Sequence, residues 1–399
     1  VDAGDRREGA ARGAFIDPRG TRSSESDLPR RPPYHPDLGM KADVLSIDLH
    51  THILPPELPD RRAITGYGGW TTLEHLSPGC GRLMIDGKHF RDVCSRSWDP
   101  TRRIADCDAT GVAVQVLSTV PVLFSYWAQP RHALDLARTL NDHLAGVVAA
   151  HPDRFEGLGT VPLQDPELAI GELERCMGEL GLRGVEIGSH VNAWNLDDPA
   201  LLPFFAAAER LGAAVFVHPW EMMGRAEMPR HWLPWLVGMP AETARAACSL
   251  VFGGVLARLP RLRVALAHGG GSFPFTIGRI DHGHRVRPDL CATEIDAAPS
   301  SFLDRLYLDS LVHDPRALRY LVELVGAERV ALGSDYPFPL GEAVPGRLVR
   351  SMSDLSDAQK SRILAGTARE FLGLDAPGTP GDPGDPGTPG TAANPGARR

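Results

Sequence analysis

Short apolar runs alternating with longer stretches of helical periodicity mark the middle of this 399-residue chain. The first run, Val44-Leu45-Ser46-Ile47-Asp48-Leu49, ends in His50-Thr51-His52. Seven more follow: Val112 to Thr119, Phe155 to Pro162, Gly184 to His190, Ala213 to His218, Arg263 to His268, Leu306 to Val312 and Arg329 to Asp335. Each is short enough for a buried strand. Between them, Pro130 to Ala150, Pro166 to Leu180, Pro199 to Leu211 and Ala241 to Leu259 have the Ala/Leu/Glu/Arg content and apolar spacing of helices. Pro166 and Pro199 stand where a first helical turn tolerates proline. The alternation predicts an α/β chain and a (β/α)8 TIM-type barrel, with chemistry at the carboxyl ends of the strands. A doubly wound open sheet is the alternative, but no Gly-rich dinucleotide fingerprint follows the first strand.

Two departures from the rhythm set the expected boundaries. Residues 55–98 read as a small insertion after strand 1, with Asp86-Gly87 as its hairpin signal. Residues 1–40, rich in Arg, Asp, Ser and Pro, carry no hydrophobic period and are expected to be disordered or foreign to the fold, with translation starting at or near Met40. Scattered acidic residues, Asp2, Asp5, Glu8 and Asp17 among them, argue against a mitochondrial presequence. The unit proper then spans 41–375, and the Pro/Gly-rich tail, 376–399, reads as a flexible segment.

Composition narrows the function classes. A net charge of -8 without a basic block disfavours nucleic acid and anionic membrane as partners. The six cysteines, Cys80, Cys94, Cys107, Cys176, Cys248 and Cys291, are scattered without a CxxC, as expected of reduced thiols in a cytosolic protein.

Candidate chemistry gathers at the strand ends. Side chains alternate along a strand, so His50 and His52 share a face. His218, His268 and Asp335 close the fifth, sixth and eighth runs, at the rim where a barrel assembles its site. Neutral imidazoles with one carboxylate suit Zn²⁺, although iron(II), manganese or cobalt accept similar ligands. Five candidates exceed the needs of a mononuclear site, which leaves one as a base. His268 is the choice, because the glycines after it permit close backbone approach and leave its ring free. The fourth run, Gly184-Val185-Glu186-Ile187-Gly188-Ser189-His190, has no lysine to bridge a second metal, so one ion is expected unless Glu186 bridges another.

Several longer motifs carry a resemblance. They are Ile47-Asp48-Leu49-His50-Thr51-His52-Ile53-Leu54-Pro55, Thr119 to Trp127, Trp232 to Thr243, Ala267 to Phe275 and Gly333 to Glu342. Together, over about Met40 to Leu374, they resemble the metal-dependent decarboxylases of the amidohydrolase superfamily, in particular the 2-amino-3-carboxymuconate-6-semialdehyde decarboxylase family. The resemblance implies one Zn²⁺ on His50, His52, His218 and Asp335, with His268 as the acid/base residue and no organic cofactor. It implies that Arg91 binds a carboxylate of a small dicarboxylate substrate and that Trp235 and Phe338 line the pocket. Arg279 is implied to reach the site of a neighbouring subunit, making a homodimer. Glu221 departs from the aspartate expected there. The implied activity is non-oxidative decarboxylation in tryptophan catabolism. A metal-dependent hydrolase on the same scaffold and a catalytically silent metal-binding protein are the competing readings.

Overall fold

The computed structural model describes residues 45–374. The expectations for residues 1–40 and 376–399 therefore lie outside the described residues. The chain is α/β, with eight parallel strands in two sheets. The first sheet orders β1 (Ile47–Ile53), β5 (Val114–Thr119) and β6 (Phe155–Gly157). The second runs from β7 (Gly184–Gly188) through β8 (Ala214–His218), β9 (Arg263–Leu266) and β10 (Leu306–Asp309) to β11 (Val330–Ala331). Their outer edges meet through parallel bridges, Thr51 with Tyr336 and Gly159 with Val185. Backbone bonds from Leu49 N–H to Leu332 O (2.8 Å) and from Glu186 N–H to Gly159 O (2.8 Å) run across the same two seams.

The helices between strands are α1 (Pro100–Thr110), α2 (Pro130–Ala150), α3 (Pro166–Gly178), α4 (Leu202–Leu211), α5 (Met239–Phe252), α6 (Phe273–Val286) and α7 (Pro315–Val325). Three of them start alike: the carboxylates of Asp99, Asp165 and Asp314 accept backbone N–H groups of α1, α3 and α7, and proline fills the next position. Pro199 instead opens a 3-10 turn that leads into α4. No helix among the described residues is long and apolar enough to cross a membrane.

Most strands are shorter than the apolar runs that foretold them. The eighth run extends to Asp335, yet the ladder covers only Val330–Ala331. Beyond it the backbone leaves the ladder, and Asp335 itself takes a positive φ of 55°. On the inward side, Leu49, Val116, Leu158, Phe216, Ala265 and Ala331 pack with Phe371 and Leu372 from the last helical turns. Burying this apolar set on both faces of the strands explains why the runs read as continuous rather than alternating.

The insertion is a separate antiparallel sheet, β2 (Thr71–Ser77), β3 (Cys80–Ile85) and β4 (Lys88–Cys94). Asp86 (φ 52°) and Gly87 (φ 73°) form its two-residue turn, which requires left-handed backbone at both positions. Leu58, Trp70, Leu83, Val93 and Trp98 attach this arm to Val120, Leu123 and the α2 residues Leu136 and Leu140.

Candidate metal centre

His50 and His52 sit on β1, His218 ends β8, and Asp335 follows β11; all four are buried. One ligand atom from each lies within 4.8 Å of all the others. The closest pairs are His50 Nε2 with His52 Nε2 (3.1 Å) and His52 Nε2 with Asp335 Oδ1 (3.1 Å), with His50 Nε2 at 3.7 Å from Asp335 Oδ1. Ligand atoms about 2.1 Å from one ion stand roughly 3.0–3.4 Å apart; the two 3.1 Å separations match that spacing, and the 3.7 Å pair lies slightly wider.

The opposite nitrogens support the same assignment. His50 Nδ1 faces Asp309 Oδ2 at 2.7 Å, His52 Nδ1 faces Thr119 O at 2.9 Å, and His218 Nδ1 faces Pro219 O at 2.9 Å. An acceptor behind each ring holds the proton on Nδ1 and turns the Nε2 lone pair inward. His218 Nε2 is buried without a hydrogen-bond partner, which a metal bond would satisfy. At His218 and Asp335 the electrostatics agree. Burial, followed by the neighbouring imidazoles, holds His218 well below the usual histidine range and therefore neutral. Burial alone would raise Asp335, but the adjacent His52 ring and the surrounding histidines hold its carboxyl at about 2. The residues thus fit a divalent ion, as expected.

His268 stands at the edge of the quartet, its ring 5.1 Å from those of both His50 and His218. Its Nδ1 is buried without a partner, and its backbone is held at a positive φ of 58°. Glycines follow at 269, 270 and 271, all with positive φ. A Cβ on Gly271 would come within 2.4 Å of the Pro240 carbonyl, so the close approach is real. Burial, with His50 next in weight, lowers the His268 pKa to about 4 and leaves a neutral imidazole.

The arm brings Arg91 in from β4. Its guanidinium lies 4.6 Å from the Phe338 ring and 5.7 Å from the Trp235 ring. Phe338 in turn packs 5.4 Å from the His52 ring, so the cation reaches the mouth of the histidine cluster. Arg279 does not join: within one chain it is exposed on α6. Glu186, weighed as a bridge to a second ion, lies behind His52, with Oε1 3.6 Å from Nδ1 rather than from the metal-facing nitrogen. Burial pushes its pKa up to about 8. Glu221, also at positive φ (43°), is exposed in the loop after β8.

A buried support of the cluster was missed in the sequence. Asp309, at the end of β10, is fully buried and accepts four hydrogen bonds. Its Oδ2 receives His50 Nδ1–H and the His268 backbone N–H (2.8 Å); its Oδ1 receives the N–H groups of Gly269 (2.8 Å) and Leu311 (3.1 Å). The signal was present in Leu306-Tyr307-Leu308-Asp309, an acid closing an apolar run like the others.

Residues 47–374 match the family model described as "Amidohydrolase", and the chain belongs to that family. Among its relatives, 2-amino-3-carboxymuconate-6-semialdehyde decarboxylase of Dictyostelium discoideum is 57% identical over 83% of this chain and 92% of its own length. The protein of the same name in Caenorhabditis elegans is 39% identical over 82% of this chain and 94% of its own. A solved dihydroxybenzoic acid decarboxylase from a Polaromonas species, with bound manganese and 2-nitroresorcinol, shares the fold at a TM-score of 0.67 and 24% identity, over 83% of this chain and 98% of that one.

Proposed function

We propose that this chain is a carboxy-lyase that converts 2-amino-3-carboxymuconate 6-semialdehyde to 2-aminomuconate 6-semialdehyde without net oxidation, a step of tryptophan catabolism by the kynurenine pathway. The observation that carries this reading is the Arg91 guanidinium, held over Phe338 beside the histidine cluster. A planar fork there matches a carboxylate of a dianionic substrate, and Trp235 and Phe338 flank the conjugated chain. Relatives that bear this activity in their names at 57% and 39% identity support it.

His50, His52, His218 and Asp335 would hold the metal, for which zinc is our choice on ligand type. Bound there, the ion supplies Lewis acidity and an activated water. His268, neutral at ordinary pH, takes a proton when water adds to the substrate's conjugated framework. Heterolysis of the carbon–carboxylate bond releases carbon dioxide and leaves its electron pair in that framework. His268 then returns the proton to the carbon that lost the carboxylate, and the added hydroxyl departs as hydroxide to restore the conjugated double bond, which closes the cycle without an electron acceptor. Arg91 holds the substrate while these events occur.

Three further readings accompany this one. The seam bonds at Thr51–Tyr336 and Gly159–Val185 support a closed (β/α)8 barrel over 41–375, with residues 55–98 as its insertion. Arg279, exposed on α6, completes the site of a second copy in a homodimer. The cysteines, unpaired among the described residues, suit the cytosol.

The test is turnover of freshly prepared aminocarboxymuconate semialdehyde, with carbon dioxide trapped and counted. Stoichiometric carbon dioxide supports the proposal, whereas an acid paired with an amine or alcohol identifies a hydrolase. For the dimer, inactive Arg279→Ala and inactive His268→Ala chains are mixed. Activity regained after subunit exchange is expected; none despite proven exchange rejects the shared site.

A further inference from the structure

We propose that Arg103 is a positioning residue for the metal ligands, setting the end of β1 by gripping its backbone from behind. This rests on reading the quartet as a metal centre. Arg103 belongs to α1, outside the sheets, yet its side chain is fully buried. Nη1 donates to the carbonyl oxygens of His52 (2.7 Å) and Arg96 (3.0 Å). Nη2 donates to Thr51 Oγ1 (3.0 Å), and Nε to Gln115 Oε1 (3.1 Å). Two consecutive residues of β1, a metal ligand and the threonine between the ligands, are thus held by one fork.

The backbone here needs such a grip. The β1–β5 ladder shifts register between Asp48 and Thr51, the interval that contains His50. At an irregularity of this kind the ladder on that side no longer fixes each residue, and the interval is held from its other side by Leu49 N–H to Leu332 O and Asp335 N–H to His50 O. The same arginine also reaches the other ligand-bearing strand end. Its guanidinium lies 4.7 Å from the ring of Tyr336, the residue after Asp335. Asp106, one turn along α1, accepts the Tyr336 hydroxyl at 2.8 Å, and the Tyr336 carbonyl accepts the His52 N–H at 2.8 Å. One helix therefore ties together the two segments that supply His50, His52 and Asp335.

Stability alone does not account for this use of arginine. Its four hydrogen bonds go to neutral oxygens, the carboxylates of Asp48 and Asp106 act on it only through space, and burying a cation without a hydrogen-bonded carboxylate is costly where an apolar side chain of similar volume would serve. Geometry does account for it, because only a rigid planar fork reaches the His52 carbonyl, Thr51 and Gln115 at once.

The experiment titrates metal-free protein with Co²⁺ against a chelator and records the visible absorption of the Co²⁺ complex, which reports ligand geometry. Arg103→Lys keeps the charge and loses the fork. It is expected to bind Co²⁺ roughly 10–100-fold more weakly, with a shifted absorption band. Arg263→Lys is the control: Arg263 is partly buried at the far end of β9 and donates to the carbonyls of Glu370 and Gly212. This variant should lose thermal stability while keeping wild-type affinity and spectrum. An Arg103→Lys protein that melts earlier but binds Co²⁺ with the wild-type affinity and band overturns the proposal. Should Arg103→Lys fail to fold, Gln115→Ala, which frees the Nε end of the fork, carries the decision: a weakened affinity supports the grip, and a wild-type titration rejects it. A wild-type chain that binds no Co²⁺ rejects the metal reading itself, which is a separate outcome.

Discussion

The histidine cluster and the arm that carries Arg91 are built in opposite ways. Around the cluster, His50, His52 and His218 are buried and each has Nδ1 fixed by an acceptor. The arm is a three-stranded antiparallel sheet, half exposed and joined to the rest through one apolar cluster around Trp70, Leu83 and Trp98. Buried strand ends hold the donor quartet, and the arm supplies the cation proposed to bind a substrate carboxylate. On the proposed reading, the difference assigns reaction type and substrate choice to separate parts of the chain, and each should then be removable without the other.

The largest effect should come from the cluster. His218→Ala is expected to lose bound metal and all measurable turnover, checked by elemental analysis beside the activity assay. His268→Ala should keep its metal and lose roughly 10²–10⁴-fold in kcat, the span typical of a missing acid/base group. Full activity in that variant would refute the role given to His268. Arg91→Ala tests the arm: losing hydrogen bonds to a charged group costs about 1.5–3 kcal/mol, which is about 10–150-fold in kcat/KM. Metal content should stay at the wild-type level. If metal is lost while the kinetics of the remaining holoenzyme are unchanged, the separation of the two regions fails.

The smallest effect is one of pH. The folded state holds His268 at about 4, below the ordinary histidine value of 6.5. Between those values the unfolded chain binds more protons, so folding stability is fully present above about pH 6.5 and declines as pH falls toward 4. Melting temperatures of metal-free protein across that window should fall with acidification, and His268→Gln should flatten the slope.

The strand–helix alternation was legible because buried strands and amphipathic helices leave different periods, and the Asp86-Gly87 turn because both positions need left-handed backbone. The clustering of His50, His52, His218 and Asp335, with His268 beside them, was legible because each stands at the end of an apolar run. Asp309 closes one too, but it works behind a ligand, and residue type alone does not separate a ligand from its support. Arg103 was hidden more deeply: in sequence it is one of two adjacent arginines on an amphipathic helix, and only the packing of α1 against β1 reveals its buried course. The placement of Arg91 came from resemblance, since nothing in the pattern of the arm indicates which way the strand faces.

Asp309 carries one more consequence. A single carboxylate oxygen accepts both the His50 ring and the backbone of His268. Ligand and base therefore share one reference point, and a small displacement of β10 carries both together. Losing that one carboxylate, as in Asp309→Asn, should therefore disturb His50 and His268 together rather than either alone.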